Sequence, residues 1–289
     1  ASPARVYRSA AIDIPALDVR ALLKRHQLDP RKGLGQNFLV DHNALKKIVS
    51  SAEVTTEDHV LEIGAGLGSL TRLLGAAAGT VKAVEIDQRL VPVLREVVGG
   101  FSNIEVVQGD ILELDPGKLV GKPGYVVVAN IPYYITSAII RHLLENEIKP
   151  ARLVLTIQRE VAERICAEPG DLSLLALSVQ VYGRPFISGI IPAEAFHPVP
   201  NVDSATLRID MHQQALFNDK QRGQFFRLIH MGFAQKRKML RNTLSAGLHI
   251  PGEEAAAYLS AAGVDPERRA QTLNLAEWKT LVNELQDKL

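Results

Sequence analysis

The strongest constraint on the fold is an alternation of short apolar runs with amphipathic segments between residues 59 and 157. The apolar runs are rich in valine and isoleucine: HVLEI (59–63), VKAVEI (81–86), IEVVQ (104–108), YVVVA (125–129) and RLVLTI (152–157). Stretches of helical character fill the gaps at 69–78, 88–98 and 137–147. Strands that alternate with helices in this way predict an α/β fold, with a parallel sheet covered by helices on both faces.

Outside this region the pattern changes twice, and the length of 289 residues favours more than one domain. Residues 1–50 read as a helical segment around the loop RKGLGQNFLVD, and 51–212 as the α/β domain. Within the latter, 174–183 and 204–210 are strand-like and predict an antiparallel pair that finishes the sheet. Residues 213–289 read as a small all-helical domain, with helices at 219–246, 252–262 and 275–286.

The cysteine content indicates the redox compartment in which the protein works. The single cysteine, Cys166, excludes an internal disulfide and a cysteine-rich zinc site, and it fits a reducing compartment. We expect it to be a small buried apolar side chain. No metal site is predicted. A reducing compartment, no predicted membrane span and no apolar signal core favour a cytoplasmic protein, and Arg5 and Arg8 leave a processed organellar transit peptide as the alternative.

Positive charge is concentrated in two places, although the formal net charge is only +1. Residues 220–241 contain no acidic residue, and residues 20–32 contain one. Such clusters favour contact with a polyanion, while solvated helix faces explain each cluster alone equally well.

Polar groups follow four of the predicted strands. A turn with Gly64 and Gly66 follows the first, Glu85 ends the second, Asp110 follows the third and Asn130 the fourth. In open parallel sheets, ligands bind along the edge formed by the carboxyl ends of the strands. One acidic residue alone is explained as well by strand-end capping, but the ordered set indicates a ligand site.

The order of these groups resembles S-adenosylmethionine-dependent methyltransferases of the Rossmann-like class I. That resemblance implies that the glycine turn, preceded by Glu62, meets the methionine part of the cofactor. Glu85 would then bind the ribose, and Asp110 the adenine amine. A dinucleotide-dependent dehydrogenase shares the glycine turn but needs neither Asp110 nor the sequence that follows the fourth strand.

That sequence is NIPY, residues 130–133, and it resembles the corner at which amino-methyltransferases hold a nucleobase. The exocyclic amine of adenine is a poor nucleophile because its lone pair is delocalised into the ring. The side-chain oxygen of Asn130 and the carbonyl of Ile131, held outward by Pro132, would accept its two N–H groups and localise that lone pair. Tyr133 would stack on the base. Without the upstream acids, a strand-end cap with a turn proline would be preferred.

The chain as a whole resembles the ribosomal RNA adenine N6-dimethyltransferase family over about residues 30–275. The motifs that carry this resemblance are GQNFLVD (35–41), EIGAGLGSLT (62–71), VEID (84–87), GDIL (109–112), NIPYYI (130–135), FHPVPNVDSA (196–205) and KRKMLRN (236–242). Two positions depart from the residues common in the family: Asn201 stands where many members carry lysine, and Gln271 where glutamate is common.

The family resemblance implies roles for further residues. Asn37 and Leu39 of the QNFL segment would cover the cofactor, and Phe196 would form the wall of the adenine pocket opposite Tyr133. The helical domain would bind RNA through a basic set made up of Lys236, Arg237, Lys238 and Arg241.

The function expected from the resemblance is N6,N6-dimethylation of adenines in a hairpin near the 3′ end of small-subunit ribosomal RNA, linked to ribosome biogenesis. The protein would act as a monomer on the small ribosomal subunit. Two alternatives stay open: a large-subunit rRNA methyltransferase that confers macrolide resistance, and a non-catalytic ribosome-assembly or transcription factor on the same scaffold. A dehydrogenase is a more distant third.

Overall fold

The structure is a computed structural model that describes residues 14–289, and it divides into two compact units. The first contains residues 14–162 and Phe186–Met211, and the second contains Glu163–Pro185 and His212–Leu289. The sequence-based boundary after residue 212 lies next to the third point at which the chain passes from one unit to the other, between Met211 and His212. Residues 163–185, which the sequence assigned to the α/β domain, group with the helical unit.

The strands show the predicted α/β order. In chain order they are β1 (Phe38–Leu39), β2 (His59–Ile63), β3 (Thr80–Glu85), β4 (Ile104–Gln108), β5 (Val126–Asn130), β6 (Arg152–Gln158), β7 (Gly183–Ile191), β8 (Phe196–His197) and β9 (Ser204–Met211). A seven-stranded sheet has the order β4-β3-β2-β5-β6-β9-β7. From β4 to β6 all neighbours are parallel, and β9 runs antiparallel to β6. The five strands predicted between 59 and 157 are confirmed.

Helices precede, connect and follow the parallel strands. They are α1 (Val19–Arg25), α2 (His42–Ala52), α3 (Ser69–Ala77), α4 (Val91–Val98), α5 (Pro116–Val120), α6 (Thr136–Glu145) and α7 (Arg159–Ile165). The side chains of Asp18, Asp41 and Asp115 cap the first turns of α1, α2 and α5. Every residue of 126–129 in β5 is buried, as expected for the middle of a sheet covered on both faces.

The second unit is helical, with α8 (Leu174–Gln180), α9 (Asp219–Phe233), α10 (Leu240–Leu248), α11 (Gly252–Ala261) and α12 (Leu275–Glu284). The prediction of a strand at 174–183 is wrong, because most of that segment forms α8. The Ser173 side chain caps this helix by accepting from the Ala176 N–H. A short, mostly apolar run fits a helix as well as a strand. The strand beside β9 is β7, which begins at Gly183.

The single helix predicted over 219–246 is interrupted at residues 234–239. Helix α9 ends at Phe233 and α10 begins at Leu240, so the basic KRK sequence lies in the connecting turn. The Leu240 N–H donates to the Arg268 carbonyl at 2.7 Å, outside any helical ladder. This tertiary hydrogen bond helps to fix the break, and the apolar periodicity of the segment does not reveal it.

Within residues 14–289, no helix is long and apolar enough to span a membrane. Arg5 and Arg8, on which the transit-peptide alternative rests, lie outside the described residues.

Candidate active site

A cavity opens at the carboxyl ends of β2, β3 and β5 in the first unit, and a second cavity adjoins it. Both are lined by Gly64, Gly66 and Asn130. The first brings together most of the predicted site residues: Asn37, Gly64, Gly66, Glu85, Asn130 and Tyr133. Leu39 lines the second.

The turn after β2 requires glycine at two positions. Gly64 has φ of +75° and Gly66 has φ of +58°, in the left-handed region that favours glycine. A Cβ at Gly64 would lie 3.1 Å from the backbone oxygen of Asn130, and one at Gly66 would lie 3.2 Å from the Phe38 ring. Because these two glycines have no side chain, the turn can lie close to Asn130 and Phe38 and still leave the cavity open.

Glu85, at the end of β3, is buried and holds the glycine turn. Its Oε2 accepts from the Gly66 N–H at 2.7 Å, and its Oε1 accepts from the Asp87 N–H at 2.8 Å. Burial raises the pKa of Glu85 above its ordinary value, although these two N–H groups act in the opposite direction. The carboxylate thus lies on the cavity wall in a fixed orientation, where it can accept hydrogen bonds from the hydroxyl groups of a sugar.

Asn130 is the last residue of β5, and one of the two polar atoms of its side-chain amide is hydrogen-bonded within the protein. The Nδ2 group donates to the backbone carbonyl of Asn37 at 3.1 Å. Within residues 14–289 we find no hydrogen-bond donor to its Oδ1. This oxygen is therefore an acceptor available to a ligand in the cavity.

Ile131 provides a second acceptor beside the first. Its N–H donates to the Thr156 carbonyl at 3.1 Å, while its own carbonyl accepts no hydrogen bond from the described part of the chain. The side chain of Ile131 is buried, and Pro132 follows with φ of −56°. The backbone is thus anchored on both sides of the carbonyl.

Tyr133 is half-buried on the cavity wall, and a hydrogen bond fixes its position. Its hydroxyl lies 2.7 Å from the Ser204 Oγ at the start of β9. Burial raises the pKa of the Tyr133 hydroxyl, so the ring stays neutral around neutral pH. A neutral aromatic ring of fixed orientation can stack on a planar base.

Phe196 and Leu39 pair across two short strands. Strand β8 is antiparallel to β1, with Leu39 opposite Phe196 and Phe38 opposite His197. Phe196 is only 1% exposed and packs in the core of this unit. The cavity lining does not include it, and its assignment as a pocket wall stays a prediction.

Asp110 follows β4, as expected from the sequence. Its Oδ1 accepts from the Leu112 N–H at 2.9 Å, which stabilises the turn after the strand. The residue does not line either cavity. Its proposed contact with the cofactor adenine stays a prediction.

Asp87 lines neither cavity, but it holds the cavity-lining residue Gln36, and the sequence analysis assigned it no role. The residue is 2% exposed, and it accepts hydrogen bonds from Gln36 Nε2 at 2.9 Å and from the Arg89 guanidinium at 2.7 and 3.1 Å. Burial alone would raise the pKa of Asp87, but the hydrogen bonds from Arg89 and Gln36 outweigh it and lower the pKa to about 2. The available signals were an aspartate two residues after Glu85 and a glutamine beside Asn37.

Glu62 is fully buried in the wall of the second cavity. Burial raises its pKa to about 8. The nearby Thr71 hydroxyl acts in the opposite direction, and the Oε2 atom of Glu62 has no hydrogen-bond partner among the described residues. A buried carboxyl oxygen without a partner beside a cavity marks a place where a ligand with a donor or a positive charge fits.

The predicted RNA-binding residues lie in the second unit. Lys236, Arg237 and Lys238 are exposed in the turn between α9 and α10, and Arg241 is half-buried in α10. No salt bridge to another described residue is found for these four side chains.

Cys166 is half-buried, and not fully buried as the sequence predicted. Burial raises the pKa of its thiol to about 11, so the thiol is protonated around neutral pH. The described residues contain no group of three or more side chains suited to a metal ion.

The cavities fit S-adenosylmethionine, which carries a sulfonium, an ammonium and a ribose diol. Glu85 and the unpartnered oxygen of Glu62 are hydrogen-bond acceptors for such groups. The glycine turn has no side chains, so the ligand can approach the protein backbone closely. The parallel sheet and this site together define a class I S-adenosylmethionine-dependent methyltransferase.

Sequence comparison identifies the family within that class. A family model described as "Ribosomal RNA adenine dimethylase" matches residues 28–287, so the chain belongs to that family. "Ribosomal RNA small subunit methyltransferase A" of Dehalococcoides mccartyi is 42% identical over 275 residues, covering 94% of each chain. The protein of the same description from Pelotomaculum thermopropionicum is 39% identical over 282 residues, covering 93% of this chain and 96% of its own.

Solved structures agree with this result. The 23S rRNA methyltransferase ErmE has a TM-score of 0.73 and 30% identity, covering 86% of this chain and 100% of its own. A dimethyladenosine transferase from Plasmodium falciparum has a TM-score of 0.77 and 26% identity, covering 87% and 98%. The predicted class I fold and the family resemblance are confirmed.

Proposed function

We propose that this protein transfers two methyl groups from S-adenosylmethionine to N6 of adenines in small-subunit ribosomal RNA. The observation that carries the proposal is the pair of available acceptors at the end of β5, the Asn130 Oδ1 and the Ile131 carbonyl. They lie beside Tyr133 in the cavity that Glu85 also lines. The names of the relatives that are 39–42% identical support the same substrate class.

When bound, S-adenosylmethionine supplies an electrophilic methyl group on a positively charged sulfur. Glu85, the turn at Gly64 and Gly66, and the segment with Asn37 and Leu39 would hold it. Asp110, at the end of the next strand, would contact the cofactor adenine.

The chain's own contribution to the chemistry is to hold the target amine. In the first transfer, Asn130 Oδ1 and the Ile131 carbonyl would accept hydrogen bonds from its two N–H groups and thereby localise the nitrogen lone pair towards the methyl group. In the second transfer, one of these acceptors would hold the N–H group that remains, and each methylated nitrogen would lose its proton to water. Tyr133 stacks on the base, a contact worth about 1–3 kcal/mol per base. Phe196 would cover the other face of the base. This catalysis works by positioning and electrostatics and needs no strong base.

The substrate RNA would bind through phosphate contacts. Lys236, Arg237, Lys238 and Arg241 supply positive charge, and the target adenine has to leave its stack to reach Asn130. A hairpin near the 3′ end of the RNA, with unstacked loop bases, suits this requirement. The protein would act as a monomer where small subunits are assembled, in the cytoplasm.

The test uses labelled S-adenosylmethionine and small subunits from cells that lack the modification. We expect dimethyladenosine in digested RNA with the wild type, none with Asn130→Ala, and a wild-type amount with the exposed Asn43→Ala as control. Subunit binding should be unchanged in Asn130→Ala.

Two other outcomes would each overturn the proposal. Because ErmE is also similar, methylation of large-subunit RNA alone would assign the protein to the resistance-type function. No methylation of either RNA, with subunit binding intact, would indicate an assembly or regulatory factor that has kept a cofactor pocket.

A further inference from the structure

The segment before β1 crosses the cavity and is attached on both sides of it. On one side, Gln36 Nε2 donates to Asp87 Oδ2 at 2.9 Å, just beyond the end of β3. On the other side, the Asn37 carbonyl accepts from Asn130 Nδ2 at 3.1 Å, at the end of β5. Two consecutive residues thus connect the strand that carries Glu85 with the strand that carries Asn130.

The attachment at Asp87 is built from several contacts. Arg89 donates to both oxygens of this carboxylate, and the Arg31 guanidinium lies 3.7 Å from Oδ1. The Gln36 side chain is held at its other end as well, since its Oε1 accepts from the Arg31 N–H at 2.7 Å. With its amide engaged at both ends, Gln36 has one orientation and one position.

The same segment is restricted on the Asn130 side. Gly35 has φ of +60°, and a Cβ there would lie 3.2 Å from Pro132 and 3.3 Å from the Tyr134 ring. Asn37 follows within two residues, so its carbonyl has little freedom to shift relative to the turn after β5.

This arrangement matters because the side chain of Asn130 can present either of two groups to the cavity. A backbone carbonyl only accepts hydrogen bonds, so the Asn37 carbonyl selects the amide orientation in which Nδ2 faces it. The Oδ1 atom then faces the other way, as an acceptor. With the amide reversed, an N–H donor would face the N–H groups of the adenine amine.

We propose that Asp87 and Gln36 form a positioning pair that holds the Asn37 carbonyl in place and so keeps the Asn130 amide in its reactive orientation. Neither residue touches the reacting atoms in this account. The proposal rests on the methyltransferase function proposed above and adds residues that act through Asn130.

Enzyme kinetics distinguish this positioning role from a role in which the segment only covers the cofactor. If the segment only covers the cofactor, loss of the tether raises KM for S-adenosylmethionine and leaves kcat unchanged. If the tether orients Asn130, kcat falls even when both substrates are saturating. Misplaced reacting groups can reduce rates about 100-fold, and we expect Gln36→Leu to lower kcat by about 10- to 100-fold.

A charge exchange tests the pair itself. Gln36→Glu alone sets two carboxylates against each other. Asp87→Asn alone can keep the hydrogen bond from Gln36 through its amide oxygen, but it removes the negative charge that pairs with Arg89. In the double variant, the amide at position 87 can donate to the carboxylate at position 36, which still accepts from the Arg31 N–H. We expect kcat of the double variant to exceed that of Gln36→Glu.

The experiment measures kcat, KM and melting temperature for the wild type, Gln36→Leu, the two single exchange variants and the double variant. Glu96→Gln serves as control, since it removes the exposed ion pair of α1 with α4 and leaves Gln36 untouched; its kcat should stay within about twofold. A Gln36→Leu protein with wild-type kcat, or a double variant that is no faster than Gln36→Glu, would overturn the positioning role. An inactive wild type would instead overturn the proposed function.

Discussion

Arg152 and Arg208 lie on the neighbouring strands β6 and β9 and together bind the carboxyl end of helix α2. Arg152 donates to the carbonyls of Ala52 and Glu53 at 2.6 and 2.7 Å, and Arg208 donates to the Ser51 carbonyl at 2.7 Å. These carbonyls have no partners within the helix, and they carry the negative end of its dipole. The sheet thereby fixes the helix that follows the cavity-lining segment with Asn37 and Leu39.

The first prediction follows from this contact. Arg152→Ala should lower the free energy of unfolding by about 2–3 kcal/mol, because two carbonyls lose charged donors in a largely buried position. Chemical denaturation measures the change. The exposed Arg141→Ala should stay within about 0.5 kcal/mol of the wild type. Equal stability of the two variants would show that the arginine contacts contribute nothing.

The second prediction concerns the glycine turn. Gly64→Ala places a Cβ 3.1 Å from the Asn130 backbone oxygen at a residue with φ of +75°. We expect this left-handed strain to destabilise the fold by about 1–2 kcal/mol. Calorimetric titration should also show weaker binding of S-adenosylmethionine, because the turn has to shift into the cavity. Gly33→Ala is the matched control, since nothing lies within 4 Å of its Cβ position and its φ is not in the left-handed region.

The sequence predicted the parts of the fold that depend on local pattern. The valine-rich strands and the polar residues at their ends are visible because each strand contributes its own signal, and Gly64, Glu85 and Asn130 do meet at one cavity. The helix at 174–180 was missed because a short, mostly apolar run does not show a period that separates helix from strand. The link from Gln36 to Asp87 was missed because it joins residues 51 positions apart in the chain, and the motifs that contain them do not show that the two side chains are in contact.

The third prediction concerns the pH dependence of stability. The pKa of Glu62 is about 8 in the folded protein and near 4.5 in the unfolded chain. Between these values the folded state binds the extra proton, so the free energy of unfolding should fall as pH rises from 4.5 towards 8. Glu62→Gln should remove this part of the decline. Denaturation at pH 5, 6.5 and 8 without cofactor tests it, and parallel profiles for the two proteins would contradict the assignment.

The fourth prediction concerns the basic turn between α9 and α10. Replacing Lys236, Arg237 and Lys238 together with glutamine should weaken RNA binding, because each residue is an exposed charge without an ion pair to the described residues. If all three contact phosphates, the negative slope of log affinity against log salt should become shallower by about 2–3 units, at roughly 0.7–0.9 per contact. Affinity for S-adenosylmethionine should not change, because the turn lies in the other compact unit from the cavity. Filter binding to small-subunit RNA over a salt series measures the slope, with the exposed Lys122→Gln as control. An unchanged slope in the triple variant would exclude the turn from the RNA-binding surface and direct attention to the second basic cluster, at residues 20–32.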